Sequence, residues 1–185
     1  NSTTGSGPEI AFGQINLSTT AANQGNLLPG QSTLSNPQGI YVDKKGTLWV
    51  SEEKNNRVVW YQNASSVTSS GPLASGVLGQ ADFISTTLVG GNNAFYSPVD
   101  LTVNELTGDL WVVDQGGSRV MRFTVAQQKA SGISDVVLGQ PGYGTPVPGT
   151  SPSLMDTPFA MRFTPDGGIF VADSTNNRVV WIFQI

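Results

Sequence analysis

Apolar residues in this chain gather in short runs separated by stretches rich in Gly, Pro, Asn and Ser. One set of runs, at residues 39–43, 99–103 and 159–164, alternates or is β-rich. A second, at 48–51, 110–113 and 169–172, is apolar at consecutive positions, as in Leu48-Trp49-Val50 and Leu110-Trp111-Val112-Val113. A third lies at 58–61, 120–125 and 179–183. Between the first and second sets, residues 44–46, 105–108 and 165–168 carry the Gly and Asp that tight hairpins need. These runs predict short strands, and strands at regular short spacing with Gly/Pro punctuation predict an all-β fold. No amphipathic helix is expected, although residues 126–130 fit one turn.

The runs repeat as units. Leu78-Gly79-Gln80 recurs as Leu138-Gly139-Gln140, with Phe12-Gly13-Gln14 as a variant, at spacings of 66 and 60 residues. A proline opens an apolar run at Pro37, Pro98 and Pro158, spaced by 61 and 60 residues. An acid precedes an Arg-Val by five residues at Glu52 and Arg57, Asp114 and Arg119, and Asp173 and Arg178. NNRVV stands intact at 55–59 and 176–180. Three landmarks in one order, three times, define a repeat of about 60 residues. Counting the Gly-Gln strand, each unit reads as four short strands. The expected division is a flexible N-terminal segment, 1–9, followed by units at approximately 10–76, 77–135 and 136–185.

Strands that are apolar on consecutive positions are covered on both faces, since a sheet with one wet face alternates. A four-stranded unit covered on both faces and repeated radially is a β-propeller blade. The run P-x-x-(I/L/M)-x-(V/F), then G-x-(L/I)-(W/F)-V, then D-x-x-N-N-R-V resembles the NHL repeat of six-bladed propellers. The third unit carries it most fully, at Pro158, Gly168, Asp173, Asn176, Asn177, Arg178 and Val179. The first has Glu52 for the Asp, and the second has Gly116-Gly117-Ser118 where the asparagines belong. The resemblance implies three four-stranded blades, either half of a six-bladed propeller or an open blade array. On function it is nearly silent, because fold does not imply function.

Composition narrows the function. The chain has 185 residues with 9 Lys+Arg, 13 Asp+Glu and a net charge of −4. Charged residues make up 12%, about half the usual share, so Ser, Thr, Asn, Gln and Gly supply the polar surface. There is no His, hence no histidine base, no Ser-His-Asp triad and no imidazole ligand. There is no Cys, hence no disulfide, thiol nucleophile or zinc ribbon. No run approaches the 18 or so apolar residues of a membrane-spanning helix. The acidic balance offers no basic stripe for nucleic acid. Relatives implied by the resemblance include a zinc-using amidating lyase with channel histidines, calcium-dependent hydrolases and RNA binders with a basic face. The composition removes the first and the last. For the calcium type, Asp43, Asp100 and Asn104 are the available channel candidates, and they do not recur in register. No cofactor or metal is expected.

The recurring acids and arginines, Glu52, Arg57, Asp114, Arg119, Asp173 and Arg178, read as structural ion pairs or braces, because a feature of every blade is architectural. Asn55, Asn56, Asn176 and Asn177 suit turn conformations. The glutamines Gln14, Gln80 and Gln140 read as strand-end caps. Trp49, Trp60, Trp111 and Trp181 occupy repeat positions of core or inter-blade residues, with Phe170 replacing a Trp in the third unit. Asn-x-Ser/Thr acceptors for covalent glycans start at Asn1, Asn16 and Asn63, the last two in polar loops expected to be exposed. The Pro-rich stretch 144–152 reads as an ordinary loop or as a carrier of O-linked sugars.

The chain opens at Asn1 without Met or a signal-peptide pattern, which reads as a processed or excised segment. The third unit is expected to lack its outer strand, and the N-terminal segment to supply a spare one. The reading is therefore a non-enzymatic extracellular or cell-surface glycoprotein subunit that self-associates head to tail. Ile10, Ala11, Phe12, Gly13 and Gln14 of one copy add beside Val179, Val180, Trp181, Ile182, Phe183 and Gln184 of another. Two copies give a six-bladed ring, and repeated addition without closure gives a filament. The alternatives are a longer chain with more blades, or a ligand-binding or calcium-dependent hydrolytic six-bladed propeller.

Overall fold

The computed structural model describes residues 9–88, 90–126, 128 and 132–183. Its strands form three antiparallel sheets, each in chain order. The first holds β1 (Pro37–Val42), β2 (Leu48–Glu52), β3 (Arg57–Tyr61) and β4 (Gly76–Leu78). The second holds β5 (Pro98–Val103), β6 (Leu110–Asp114), β7 (Arg119–Phe123) and β8 (Val136–Leu138). The third holds β9 (Pro158–Phe163), β10 (Ile169–Asp173) and β11 (Arg178–Ile182). Each sheet is one propeller blade, here called blades 1, 2 and 3. The array they form is open rather than a closed ring.

Each landmark has a structural place. The prolines open the first strand of each blade, where a missing N–H costs least. The acid and the Arg close the β2–β3 type hairpin as direct cross-strand partners, Glu52 with Arg57, Asp114 with Arg119 and Asp173 with Arg178. The residue before each Arg is left-handed, with φ of 50° at Asn56, 49° at Ser118 and 52° at Asn177. The Leu-Gly-Gln landmarks end β4 and β8, so the blades group as 37–78, 98–138 and 158–182. Residues 12–16 of the N-terminal copy run as bends and form no strand within the chain. Short helical turns occur at Ala22–Gly25 and Ala64–Ser66. Of the single turn expected at 126–130, positions 127, 129 and 130 lie outside the described residues, as do Asn1 and Gln184.

The core is made between blades. Trp49, Trp60, Val58 and Leu78 of blade 1 pack on Leu101, Val103, Leu110, Val112, Met121 and Phe123 of blade 2. Val99, Trp111, Val113 and Val120 of blade 2 pack on Met161, Ile169 and Val171 of blade 3. A third cluster covers the opposite face of blade 1: Phe12 and Leu34 close over Val50, Val59 and Tyr61.

The long loop before each blade carries one apolar plug, Leu34, Phe95 or Met155. The plug seats against the landmark glycine. A Cβ on Gly79 would come within 2.2 Å of the Phe95 ring, one on Gly139 within 2.7 Å of Met155, and one on Gly13 within 2.5 Å of Leu34. All three glycines have φ between 82° and 86°, so only Gly fits the turn and leaves room for the plug. The N-terminal segment is thus built like the loops that enter blades 2 and 3.

Candidate functional site

The β2–β3 hairpins show what the fold consumes. Arg57 Nε donates to Glu52 Oε1 at 2.6 Å, Arg119 Nε to Asp114 Oδ2 at 2.8 Å and Arg178 Nε to Asp173 Oδ2 at 2.7 Å. The acids also accept main-chain N–H groups of the preceding loop, from Ser35, from Tyr96 and Ser97, and from Asp156. The guanidinium Nη2 groups donate to the carbonyl before each plug, those of Thr33, Ala94 and Leu154. Burial pushes the Glu52 and Asp114 carboxyls up, and Arg57, Arg119 and the main-chain donors pull part of that shift back. These groups hold the long loops on the blades.

The channel candidates are likewise engaged. Asp43 accepts from Lys45 N, Thr47 N and Trp49 Nε1. Asn104 Oδ1 accepts from Leu106 N. Asp100 accepts from Met161 N and Arg162 Nη1, which tie blade 2 to blade 3. No cluster of three or more Asp or Glu suited to a metal ion occurs among the described residues. A cleft of about 220 Å³ between blades 1 and 2 is lined by Asp43, Lys44, Trp49, Val103 and Glu105. Two of its rim charges pair with each other, Lys44 Nζ standing 2.7 Å from Glu105, and Tyr41 donates to the same carboxylate. Burial and Glu105 together push the Tyr41 hydroxyl up to about 12.

What remains open is a face of blade 3. At equivalent register positions, β2 and β3 pair Trp49 with Trp60, β6 and β7 pair Trp111 with Arg122, and β10 and β11 pair Phe170 with Trp181. The first pair is 1% and 6% exposed, sealed by blade 2. Trp111 is sealed by blade 3, meeting Phe163 edge-on with ring centres 5.8 Å apart. Phe170 and Trp181 stack on each other at 5.4 Å and 18° and are 40% and 47% exposed. Val179, the counterpart of buried Val58 and Val120, is 67% exposed, and Phe183, its ring against that of Trp181, extends the patch. Trp181 therefore stands at a register position that the next blade covers in blade 1 and that no blade covers among the described residues.

The far face of blade 1 shows the complementary half. Ile40, Val42 and Leu48 stand where blade 2 has Leu101, Val103 and Leu110, the residues that receive Trp49 and Trp60. Ile40 and Val42 are exposed, beside the cluster already capped by Phe12 and Leu34. The sequence reading missed the plugs Leu34, Phe95 and Met155, which share no residue type; the signal that finds them is their constant offset, three residues before Pro37, Pro98 and Pro158. Asn16 and Asn63 are exposed, Asn16 Oδ1 accepting from Ser18 N and Thr19 N and Asn63 leading the turn at Ala64–Ser66.

Comparison with known proteins agrees with this architecture. Residues 34–61, which span blade 1 from its plug to the end of β3, match the family model of the NHL repeat. No curated protein sequence matches the chain. Among solved structures, virginiamycin B lyase from Staphylococcus aureus is similar at 17% identity and a TM-score of 0.51, over 85% of this chain and 41% of that one. A streptogramin B lyase is similar at 15% identity and 0.50, over 84% and 39%. A catalytically inactive form of the Staphylococcus aureus enzyme with quinupristin gives 18% and 0.51, over 85% and 41%. The likeness is one of fold, and this chain spans about two fifths of the length of those lyases.

Proposed function

We propose that this chain is a non-enzymatic structural module, displayed outside the cell or on its surface, that self-associates head to tail through its blade faces. One observation carries the reading: the stacked Phe170 and Trp181 rings lie open at the register positions where Trp49 and Trp60 are buried against the next blade. A contiguous exposed apolar patch of this kind marks an interaction surface. The aliphatic face of blade 1, with Ile40, Val42 and Leu48, has the composition that such a ring pair already packs on inside the chain. A contact between unlike faces is heterologous, so repetition gives a ring where the rotation closes and a filament where it does not. Two chains joined at both seams make six blades.

The ionisable groups that recur in each blade support a structural role, since each is spent on holding a loop. A surface with only 12% charged residues and exposed acceptors at Asn16 and Asn63 supports the extracellular placement and N-linked glycans there. The test is light scattering across a wide concentration range, with Trp181→Asp beside the native chain. The native chain is expected to assemble, and the variant to stay monomeric with an unchanged circular dichroism spectrum. A native chain that remains monomeric, or a variant that assembles equally, overturns the proposal.

A further inference from the structure

The geometry points to a strand-exchange lock at this seam: residues 10–14 of a second copy add as the fourth strand of blade 3, beside β11, fixed by a Gln14 amide and an Arg178 guanidinium. The inference rests on the head-to-tail reading and deepens it by naming the segment of the partner copy that docks and the groups that recognise it.

The lock is visible twice inside the chain. After β4, Gln80 Nε2 donates to the carbonyl of left-handed Asn56 at 3.1 Å and to Thr87 O at 2.9 Å. Three residues past that glutamine, Phe83 O accepts Arg57 Nη1 at 2.6 Å. After β8, Gln140 Nε2 donates to the carbonyl of left-handed Ser118 at 3.0 Å and to Val147 O at 3.2 Å. Again three residues on, Tyr143 O accepts Arg119 Nη1 at 3.2 Å. In both seams the outer strand is pinned by a crossed pair of hydrogen bonds, one from its own glutamine and one to its own following carbonyl.

The two halves of a third lock are present and separate. Gln14 Nε2 donates to Ala21 O at 2.9 Å, seven residues on, as Gln80 does to Thr87 and Gln140 to Val147. Its Oε1 is buried without a partner among the described residues, whereas those of Gln80 and Gln140 each accept a main-chain N–H. On blade 3, Asn177 has the same left-handed conformation as Asn56 and Ser118. Arg178 Nη1 turns back to Thr150 O at 2.8 Å, within its own preceding loop, and the side chain is 32% exposed where Arg57 and Arg119 are sealed. In the lock, Gln14 of one copy donates to Asn177 O of the other. Leu17 O, three residues past Gln14, accepts Arg178 Nη1.

The strand itself fits. Val58 faces Leu78 across the β3–β4 pair and Val59 faces Val77, so the equivalent register sets Phe12 opposite Val179 and Ala11 opposite Val180. The Ala11 main chain is occupied on one side, its N–H by Ser70 Oγ and its carbonyl by Gly71 N. Alternation along an antiparallel strand turns the main-chain groups of Ile10 and Phe12 to the other side, toward β11. A cleft of about 300 Å³ beside β11, lined by Leu138, Gly139, Met155, Val180 and Ile182, lies where the Ala11 side chain arrives. Main-chain pairing then supplies affinity, and the Gln14 and Arg178 contacts supply register.

Because the chain has no cysteine, disulfide trapping tests the register directly. Chains carrying Ala11→Cys are mixed with chains carrying Val180→Cys under mild oxidation. Facing residues of an antiparallel pair lie within disulfide reach, so a covalent heterodimer is expected. Ala11→Cys mixed with Phe183→Cys, out of register, is expected to cross-link far less. Gln14→Leu is expected to raise the dissociation constant about tenfold, as loss of one hydrogen bond and stranding of a carbonyl predict. If Trp181→Asp abolishes assembly while the facing cysteines do not cross-link, or cross-link no better than the offset pair, the face reading stands and the strand lock is overturned. If Gln14→Leu assembles like the native chain, the glutamine contact is overturned.

Discussion

Blades 2 and 3 carry the same landmarks and strand order and are far apart in burial. In blade 2 every residue of β5 and β6 is buried, and four of the five in β7. In blade 3 the same positions alternate: Ile169, Val171 and Asp173 are buried while Phe170 is exposed, and in β11 Val179 and Trp181 face solvent. Hydrophobicity does not separate them, since RVVWI in β11 is at least as apolar as RVMRF in β7. Neighbours do. Blade 2 is sandwiched, blade 3 is covered once, and the alternation in blade 3 is the imprint of one dry face and one open one. Consecutive apolar residues in a strand are therefore a statement about what must cover both of its faces.

The sharpest way to break the comparison is to strand a charge. Asp114→Ala leaves Arg119, 1% exposed, without its carboxylate, and a buried unpaired charge costs about 3–5 kcal/mol. Asp173→Ala leaves Arg178, whose side chain reaches water, so a loss under half as large is expected. Urea unfolding of both variants decides it. Equal losses would mean that the loops, and not the covering blade, set the environment of these pairs.

A gentler test uses counterparts in one register. Val120 is fully buried and Val179 is 67% exposed. Val120→Ala is expected to cost about 2 kcal/mol through lost transfer energy and a residual cavity. Val179→Ala at monomeric concentration is expected to change stability by less than about 0.5 kcal/mol. At assembling concentration the gap should narrow, because the second copy buries Val179. A gap that stays constant with concentration argues against a covered face.

Much of this was legible in the sequence because the landmarks are local. The Pro, acid and Arg-Val spacings map onto strand starts and hairpin partners, whose separation along the chain is fixed by turn length. The consecutive apolar runs correctly demanded stacked sheets. What the sequence withheld is set at long range. Residues 10–14 share the motif of β4 and β8 but form no strand in the chain, since a strand needs a neighbour and no strand of the described residues pairs with them. The plugs share only an apolar character and a place three residues before each landmark proline, and the glutamine-to-carbonyl bonds end on unlike residues, Asn56 and Ser118, so neither stands out as a motif. Trp181 reads like Trp60 in sequence, each following Asn-Asn-Arg-Val-Val, and differs in what covers it.

Blades 1 and 2 differ from each other through their own residues, which isolates that source of variation. Trp49 Nε1 donates to Asp43 Oδ2 at 3.1 Å, whereas Trp111 Nε1, equally buried, has no partner among the described residues. The hairpin position of Asp43 is Asn104 in blade 2, and its oxygen is taken by Leu106 N. Trp49→Phe therefore removes a hydrogen bond to the partly buried Asp43 carboxylate, while Trp111→Phe removes an orphaned donor. The first variant is expected to lose about 1 kcal/mol more than the second in thermal or urea unfolding. A reversed order would place the Trp111 N–H in a hydrogen bond to water.

The smallest expected effect follows the same substitution through pH. Burial raises the Asp43 carboxyl, but the N–H groups of Thr47, Trp49 and Lys45 outweigh it, and the net shift is downward. A folded-state value below the unfolded one means that the unfolded chain binds more protons. Stability from Asp43 is then complete above the ordinary carboxylate range and is lost as pH falls through the folded value. Glu52 and Asp114, pushed up by burial, run the other way and do not add to loss of stability in acid. Asp43→Asn keeps an acceptor oxygen and removes the titration, giving blade 1 the side chain that blade 2 already has. Unfolding free energies of the native chain and this variant, measured from neutral to acidic pH, should converge as pH falls. A constant difference between the two curves would show that the Asp43 carboxylate gains nothing from its ring of N–H donors over an amide.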